Sequence, residues 1–319
     1  MTATNAQVFH GRQIEALRRQ LGDEVLGYLE DPSIVEIMLN PDGKLWVDVL
    51  GRGMERRDTM DPVRGQMVMD TVAAMLGTVV TAASPILEGE LPLDGSRFEG
   101  LMPPVVERPV FTIRKKALLI FTLEDYVTQG IMTSGQAEAL MAAIHQRQNI
   151  LIAGGTGTGK TTLANALLHA IGQISPDHRL VIIEDTRELQ CAAPNVIFLR
   201  TSDGVDMIRL LRATMRMRPD RIVVGEVRGA EALALLKAWN TGHPGGIGTV
   251  HANDAQAALI RVGQLIQEAN VPANPELIAE TVNVVVSIKR TATGRTVDQI
   301  SRVAGYREGV FALEPGVVV

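Results

Sequence analysis

The sequence predicts an α/β protein in which a mostly parallel sheet follows a smaller α+β domain. Three observations lead to this prediction. A glycine loop at residues 154–161 joins an apolar, strand-like run at 149–153 to a helix-prone stretch at 162–170. Apolar runs and helical patterns alternate after the loop, as they do when helices flank a parallel sheet. The chain before residue 117 mixes helical and strand patterns and has no such loop.

The first domain is expected to span residues 1–121. One strand pair is strongly indicated, because Asn-Pro-Asp-Gly at 40–43 is turn chemistry between two apolar runs. The other segments follow from helical periodicity or from alternating apolar residues. The predicted order is a helix at 10–30, strands at 34–39 and 44–49, a helix at 65–79, an ordered Gly- and Pro-rich loop at 84–108 and a strand at 111–116.

The second domain is expected to span residues 134–319. We expect a linker at 122–133 and a hinge within 117–133. The end of the chain changes character, and its short alternating runs predict a small antiparallel appendage. The predicted order is a helix at 134–147, strands at 149–153, 180–184, 196–199 and 221–225, and appendage strands at 284–288, 296–303 and 309–313.

Composition narrows the function classes. A net charge of −5 argues against nonspecific electrostatic binding of the whole protein to nucleic acid. The lone Cys191 excludes internal disulfides and fits a reducing compartment. The apolar runs are far shorter than the roughly 18 residues of a membrane-spanning helix, and the first residues lack a signal-peptide pattern. We therefore expect a cytoplasmic protein that reaches a membrane only through partners.

The glycine loop carries the strongest chemical signal. It reads Gly-Gly-Thr-Gly-Thr-Gly-Lys-Thr, a complete G-x-x-x-x-G-K-[ST] phosphate loop between a strand and a helix. Its glycines let backbone N–H groups curl around phosphate oxygens, and the following helix adds the positive end of its dipole. Lys160 is expected on the β- and γ-phosphates, and the Thr161 hydroxyl on Mg²⁺. The predicted nucleotide-binding residues are Gly154, Gly155, Thr156, Gly157, Thr158, Gly159, Lys160, Thr161 and Thr162.

Two acids are candidates for organising water and Mg²⁺. Glu184 follows an apolar strand, and Glu226 follows another in which Gly225 takes the usual Asp position of a Walker B strand. Both fall at the carboxyl ends of strands, where open α/β sheets bind ligands. We predict that the two share water activation and metal duties. The role of general base stays open between them, with a preference for Glu226, because it ends the strand nearest the expected metal position; Thr161 and Glu226 are the predicted metal-site residues.

Histidine and arginine complete the set of candidates. His251 ends a short strand after a glycine-rich run, where a neutral imidazole can hydrogen-bond a γ-phosphate or an acid. Arg209, Arg212 and Arg216 share one face of a predicted helix. A nucleotide site completed by a neighbouring subunit needs such cations to neutralise transition-state charge.

The ordered motifs at 154–161, 184–188, 224–229 and 248–253 resemble the Walker A, Asp, Walker B and His boxes of the secretion and traffic ATPases. The resemblance extends into the first domain through 35–43, 94–97 and 112–115. Within that superfamily the chain resembles the TrbB-type conjugal-transfer ATPases, from the branch that powers type IV secretion. The type II secretion and pilus-assembly members usually carry a four-cysteine zinc insert, which one cysteine cannot build.

The resemblance implies a RecA-like motor domain, a hexameric ring on the cytoplasmic face of a bacterial inner membrane, and ATP with Mg²⁺ as ligands. It also implies that the first domain closes over the nucleotide and brings Arg97 and Arg114 to it. The implied catalytic set is Lys160, Glu184, Glu226 and His251. The implied partners are inner-membrane and cytoplasmic components of a type IV secretion or conjugation machine, with no sequence-specific nucleic acid.

Other functions remain open at this stage. A pilus motor of another branch shares the same four boxes. A RecA- or helicase-like nucleic-acid motor shares the loop, although the charge and the lack of an aromatic stacking run disfavour it. A regulatory scaffold would bind nucleotide without turnover. A small-molecule kinase is less favoured, because no acceptor-binding segment stands out.

Overall fold

The chain folds into two compact units, residues 1–118 and 119–319. Each unit has its own sheet and its own hydrophobic core. The computed structural model describes residues 3–50, 52–116, 121–202, 204–291 and 294–315. No helix in these ranges is both long enough and apolar enough to cross a bilayer.

The first unit is a six-stranded antiparallel sheet with two helices. Its strand order is β3-β2-β1-β6-β5-β4. Alternate side chains of the strands are buried in one core with the apolar sides of the helices. The elements are α1 (Ala3–Glu30), β1 (Ile34–Leu39), β2 (Lys44–Val49), β3 (Gly53–Thr59), α2 (Pro62–Met75), β4 (Ile86–Glu90), β5 (Arg97–Leu101) and β6 (Val110–Arg114).

The helix α1 is interrupted at Gly22, which takes φ 74° and ψ 169°. Arg64 from α2 fills this break. Its guanidinium donates from Nε to the Gln20 carbonyl at 2.5 Å and from Nη2 to the Leu21 carbonyl at 2.6 Å. These bonds satisfy carbonyl groups at the interruption. This φ/ψ pair is one that essentially only glycine adopts, and a Cβ at position 22 would also displace the Arg64 guanidinium, whose Nη2 lies 1.7 Å from that position.

The strands predicted at 34–39 and 44–49 are confirmed, whereas the predicted long loop at 84–108 is wrong. That segment contains β4 and β5, and its glycines misled the prediction. A Cβ on Gly89 would lie 2.5 Å from Cδ1 of Leu76, and one on Gly100 would lie 2.2 Å from Sδ of Met69. These glycines let the sheet approach α2 and its C-cap, so here glycine marks close packing within strands.

The second unit is built on an eight-stranded sheet of order β14-β13-β12-β7-β11-β10-β8-β9. The six strands from β12 to β9 run parallel, and β13 and β14 are antiparallel. The elements are α3 (Leu123–Thr128), α4 (Ser134–His145), β7 (Ile150–Ala153), α5 (Lys160–Ile174), β8 (Leu180–Glu184), β9 (Val196–Arg200), α6 (Met207–Thr214), β10 (Arg221–Val224), α7 (Glu231–Asn240), β11 (Ile247–Val250), α8 (Ala255–Gln267), α9 (Pro275–Thr281), β12 (Val284–Thr291), β13 (Gly294–Arg307) and β14 (Val310–Pro315).

Helices cover both faces of this sheet, and two apolar clusters lie in this unit. The prediction of an α/β fold is therefore confirmed. The strands β7, β8, β10 and β11 are buried along their whole length, as expected for parallel strands covered on both faces. Because they are parallel, their carboxyl ends meet at one edge. The residues that follow them are thereby brought together.

The predicted antiparallel appendage is wrong in one respect. Strand β12 pairs in parallel with β7 over residues 284–287 and 150–153, so it belongs to the main sheet. Its buried run of Val284 to Ile288 fits an interior strand. Only β13 and β14 extend the sheet in antiparallel fashion.

The segment expected as a linker, 122–133, contains α3. Thr122 and Asp125 form a capping box at its start. Leu123, Tyr126 and Met132 are buried in a core of the second unit, so the segment is packed there. Part of the expected hinge, residues 117–120, lies outside the described residues.

Candidate functional site

The phosphate loop connects β7 to α5 at the carboxyl edge of the parallel strands. Two of its glycines, Gly157 and Gly159, take positive φ values of 70° and 98°. A Cβ at Gly154 would lie 2.5 Å from Oγ1 of Thr158 and 2.7 Å from the Ile288 carbonyl oxygen. Glycine is therefore required by backbone conformation at two positions and by space at a third.

Lys160 begins α5 and is almost completely buried, with 8 % of its surface exposed. Its Nζ donates to the carbonyl oxygens of Gly154 and Gly155, both at 3.0 Å. It also lies 3.4 Å from Nε2 of His251. The ammonium is thus held inside the curve of the loop, beside the histidine that follows β11.

A chain of polar contacts continues from that histidine. Nε2 of His251 lies 2.6 Å from Oε1 of Glu226. Oε1 is buried and has no hydrogen-bond partner among the described residues, so this approach is an ion-pair contact when the imidazole is protonated. The other oxygen, Oε2, accepts from Nε of Arg228 at 2.7 Å, and Nη1 of Arg228 lies 3.9 Å from Oδ2 of Asp185. Residues after β8, β10 and β11 are thereby linked to the loop after β7.

Glu184 is placed differently from Glu226. It is 4 % exposed, and its Oε1 accepts from the backbone N–H groups of Glu188 at 3.0 Å and Leu189 at 2.8 Å. Burial raises the pKa of this carboxyl to about 7, although the two N–H bonds act in the opposite direction. A Cβ on Gly225 would lie 2.9 Å from Cγ of Glu184. This contact explains glycine where a Walker B strand usually has aspartate.

The Thr161 hydroxyl donates to Oε2 of Glu188 at 3.3 Å. A hydroxyl beside a carboxylate fits Mg²⁺, a hard cation that takes oxygen ligands and retains water. No group of three or more His, Cys, Asp or Glu side chains suited to a metal occurs among the described residues. The donors therefore fit an ion held partly by phosphate, as Mg²⁺ is in phosphate-loop sites.

The arginines predicted for the site are more scattered. Arg97 and Arg114 lie in the first unit, opposite each other on β5 and β6. Nε of Arg114 is 3.5 Å from Oε1 of Glu36. Arg209 and Arg212 lie on α6. The predicted third member of their face, Arg216, follows the end of that helix, so that part of the prediction is wrong.

Sequence reasoning did not assign roles to three residues near the loop. Arg228 was visible inside the 224–229 motif, and its spacing of two from Glu226 was the available signal. Glu188 was noted after β8 but was given no partner. Arg295 had no local signal, because it approaches the loop only through the pairing of β12 with β7.

A sequence profile of the family described as "Type II/IV secretion system protein" matches residues 20–301. The chain belongs to this family. It is 52% identical to a probable conjugal transfer protein TrbB of Sinorhizobium fredii, an alignment that covers 96% of this chain and 94% of the relative. It is 33% identical to the type IV secretion system protein PtlH of Bordetella pertussis, with coverages of 83% and 88%. Within the family the chain is a TrbB-type traffic ATPase.

A solved ATPase structure shares the fold. The ATPase DotB of Yersinia pseudotuberculosis superposes with a TM-score of 0.62 at 16% identity, covering 90% of this chain and 79% of DotB. At that identity the likeness concerns the fold alone.

Proposed function

We propose that this chain couples ATP hydrolysis to work in a conjugative type IV secretion machine. Family membership supports the nucleotide chemistry, and the relatives named for conjugal transfer support the setting. The single observation that carries the proposal is the close approach of both Lys160, at 3.4 Å, and Glu226, at 2.6 Å, to Nε2 of His251. It joins a phosphate-binding loop to a carboxylate able to act on water.

Binding comes first in the proposed reaction. The loop N–H groups and Lys160 hold the phosphate chain, and Thr162 lies in the first turn of α5 beside them. Thr161 would supply the hydroxyl for Mg²⁺. Glu226 and Glu188 would be the carboxylates of the metal site, and Glu188 already contacts that hydroxyl. When bound, Mg²⁺ supplies charge neutralisation at the phosphate oxygens.

Glu226 is the better candidate for the general base. Its side chain is 17% exposed and contacts His251, which lies beside Lys160. Glu184 is almost fully buried, and one of its oxygens is engaged by two backbone donors. We therefore assign water activation to Glu226, and to Glu184 the positioning of the segment that contains Glu188. His251 would report the γ-phosphate to Glu226.

Assembly follows as a further part of the proposal. The arginines Arg97 and Arg114 would reach the nucleotide from the first domain, and six copies would form a ring that docks on inner-membrane and cytoplasmic components of the machine. An oligomer linked to nucleotide requires different affinities in its two states. Measuring the mass in solution with and without nucleotide tests this part. A monomer under both conditions would contradict it.

Lys160→Ala tests the nucleotide chemistry directly. We expect steady-state phosphate release from Mg²⁺-ATP to fall by roughly 100-fold or more, because preorganised positive charge is lost where negative charge develops. Lys237→Ala, on the exposed side of α7, removes an ammonium elsewhere and should leave turnover unchanged. The thermal unfolding midpoints of both variants should match that of the unsubstituted protein, so that turnover is compared between equally folded proteins.

Three results would contradict this function. Turnover near that of the unsubstituted protein in folded Lys160→Ala would exclude the loop as the site. Nucleotide binding without phosphate release in the unsubstituted protein would instead indicate a regulatory scaffold. Turnover that depends on added DNA or RNA would favour a nucleic-acid motor over a secretion motor.

A further inference from the structure

The hairpin of β12 and β13 borders the phosphate loop at both ends. At the first end, the Ile288 carbonyl oxygen lies 2.7 Å from the position that a Cβ on Gly154 would take. At the other end, a Cβ on Gly159 would lie 3.2 Å from both Cδ and Nη1 of Arg295. The guanidinium of Arg295 therefore packs on the residue directly before Lys160.

The backbone that carries Arg295 is anchored. The N–H of Val297 donates to the Ile131 carbonyl at 2.7 Å, and Oγ1 of Thr296 donates to the same oxygen at 3.4 Å. Nε2 of Gln136 donates to the Val297 carbonyl at 3.2 Å. These bonds fix the start of β13 against residues 131–136, so Arg295 is presented from an ordered segment.

Positive charge accumulates at this point of the fold. Gly159 is the N-cap of α5, where the helix dipole leaves partial positive charge, and the Lys160 ammonium is buried one residue further on. The guanidinium of Arg295 adds a third positive group. Its charge also acts on Tyr126, whose pKa is raised by burial and lowered in part by Arg295. An anion at the loop relieves the repulsion among these groups, and a helix N-terminus is a ready anion site.

Two other cations of the hairpin have different surroundings. Lys289 forms an ion pair with Asp298 across the strands, on the exposed side of the hairpin. Arg307, at the far end of β13, is exposed to solvent. Arg295 differs from both because it packs against the phosphate loop. Arginine suits this position, since its planar fork donates two parallel hydrogen bonds to phosphate oxygens.

We propose that Arg295 is a nucleotide-binding residue that contacts the α- and β-phosphates, the part of the phosphate chain that ADP and ATP share. This inference rests on the proposed function of the loop. It assigns Arg295 to binding affinity, whereas Glu226 and His251 act on the γ-phosphate end. Loss of Arg295 therefore weakens ADP and ATP by the same factor.

Isothermal titration calorimetry on the full chain tests this assignment with two probes, ADP and inorganic tripolyphosphate. We expect Arg295→Gln to raise the dissociation constant roughly tenfold for both probes, because one charge-assisted phosphate contact is lost. The dissociation constants of Arg295→Lys should lie between those of the unsubstituted protein and those of Arg295→Gln, since lysine keeps the charge but lacks the planar fork. Arg307→Gln, the same change on the same strand, should leave both constants unchanged.

The outcomes separate the possible failures. ADP binding by folded Arg295→Gln that equals the unsubstituted protein overturns the inference. Weaker ADP with unchanged tripolyphosphate also overturns it, because the contact would then be with the ribose or the base. If Arg295→Gln does not fold, Arg295→Lys with undiminished affinity for both probes gives the same negative answer. If the unsubstituted protein binds neither probe, the proposed function itself fails.

Discussion

Two buried cations lie at opposite ends of the same parallel sheet, and only one belongs to the candidate site. Lys160 follows β7 at the carboxyl edge, and Arg221 begins β10 at the amino edge. Both are largely buried, at 8 % and 1 % exposed. Both also donate to backbone carbonyl oxygens. Burial of a positive charge therefore does not by itself identify a functional residue.

The partners make the difference. Arg221 donates to the carbonyls of Gly245 and Ile144, both at 3.0 Å, to Oγ of Ser175 at 3.4 Å and to Nδ1 of His178 at 3.1 Å. These four partners belong to three segments of the chain, which the guanidinium ties together. Burial lowers the pKa of Arg221 to about 10, so it stays charged at neutral pH.

Lys160 has a different environment. Its two carbonyl partners lie in its own loop, and its next neighbour is a histidine that lies beside a carboxylate. Its contacts therefore shape one loop instead of joining distant segments. A cation that closes a glycine loop and touches a histidine–carboxylate pair is placed for a ligand. One that joins three segments is placed for stability.

The largest expected effect that separates the two edges is on catalysis. Glu226→Gln should lower phosphate release roughly 100- to 1,000-fold, about 3 to 4 kcal/mol in the transition state, because the carboxylate no longer accepts a proton from water. The free energy of unfolding should change little. Glu276→Gln, exposed in the first turn of α9, is the matched control. Unchanged turnover in folded Glu226→Gln would show that this carboxylate at the carboxyl edge has no role in catalysis.

Arg221→Met should act on stability instead. The change leaves four acceptors at the amino edge without their donor, and we expect a loss of about 3 kcal/mol in the free energy of unfolding measured in urea. Turnover per folded molecule should be preserved. Arg307→Met on the exposed end of β13 controls for loss of an arginine. A stable Arg221→Met protein with impaired turnover would break the comparison.

The third effect depends on pH. The Glu184 carboxyl has a pKa of about 7 in the folded protein and 4.5 as its ordinary value, so the folded protein holds the proton more tightly. Its contribution to stability is complete below about pH 4.5 and is lost as pH rises to about 7. Between pH 5 and 8, Glu184→Gln should therefore gain up to about 3 kcal/mol in unfolding free energy relative to the unsubstituted protein.

Urea unfolding of both proteins across that range measures this difference. The exposed Glu138→Gln on α4 serves as the control for loss of a carboxylate. If the unfolding free energies of Glu184→Gln and the unsubstituted protein differ by a constant amount from pH 5 to 8, burial does not set the proton affinity of Glu184. The carboxyl edge would then be less constrained than we infer.

These contrasts also show what the sequence could predict. The loop was predicted because its chemistry is local: Lys160 and Thr161 follow the glycines directly in the chain. Glu184, Glu226 and His251 were found because the carboxyl ends of parallel strands share one edge. The structure adds the order of contacts along that edge, from Lys160 to Asp185.

The remaining features depend on distant pairing. Arg221 looked like an ordinary strand residue, because its partners come from segments that only the folded sheet brings together. Arg295 was invisible for the same reason. Gly89 and Gly100 suggested a loop. In the structure they lie in strands and leave room for Leu76 and Met69 to approach from the helical side. A local pattern cannot report such contacts.

The insertion of β12 beside β7 has a consequence for biosynthesis. Residues 150–153 leave the ribosome long before residues 284–287, which complete the flank of that strand. A nascent chain thus holds a phosphate loop whose supporting neighbour has not yet been made, with the edge of β7 open to other pairing. We expect capture of nucleotide to begin only when translation of the second unit is nearly finished, so unfinished chains do not compete with complete ones.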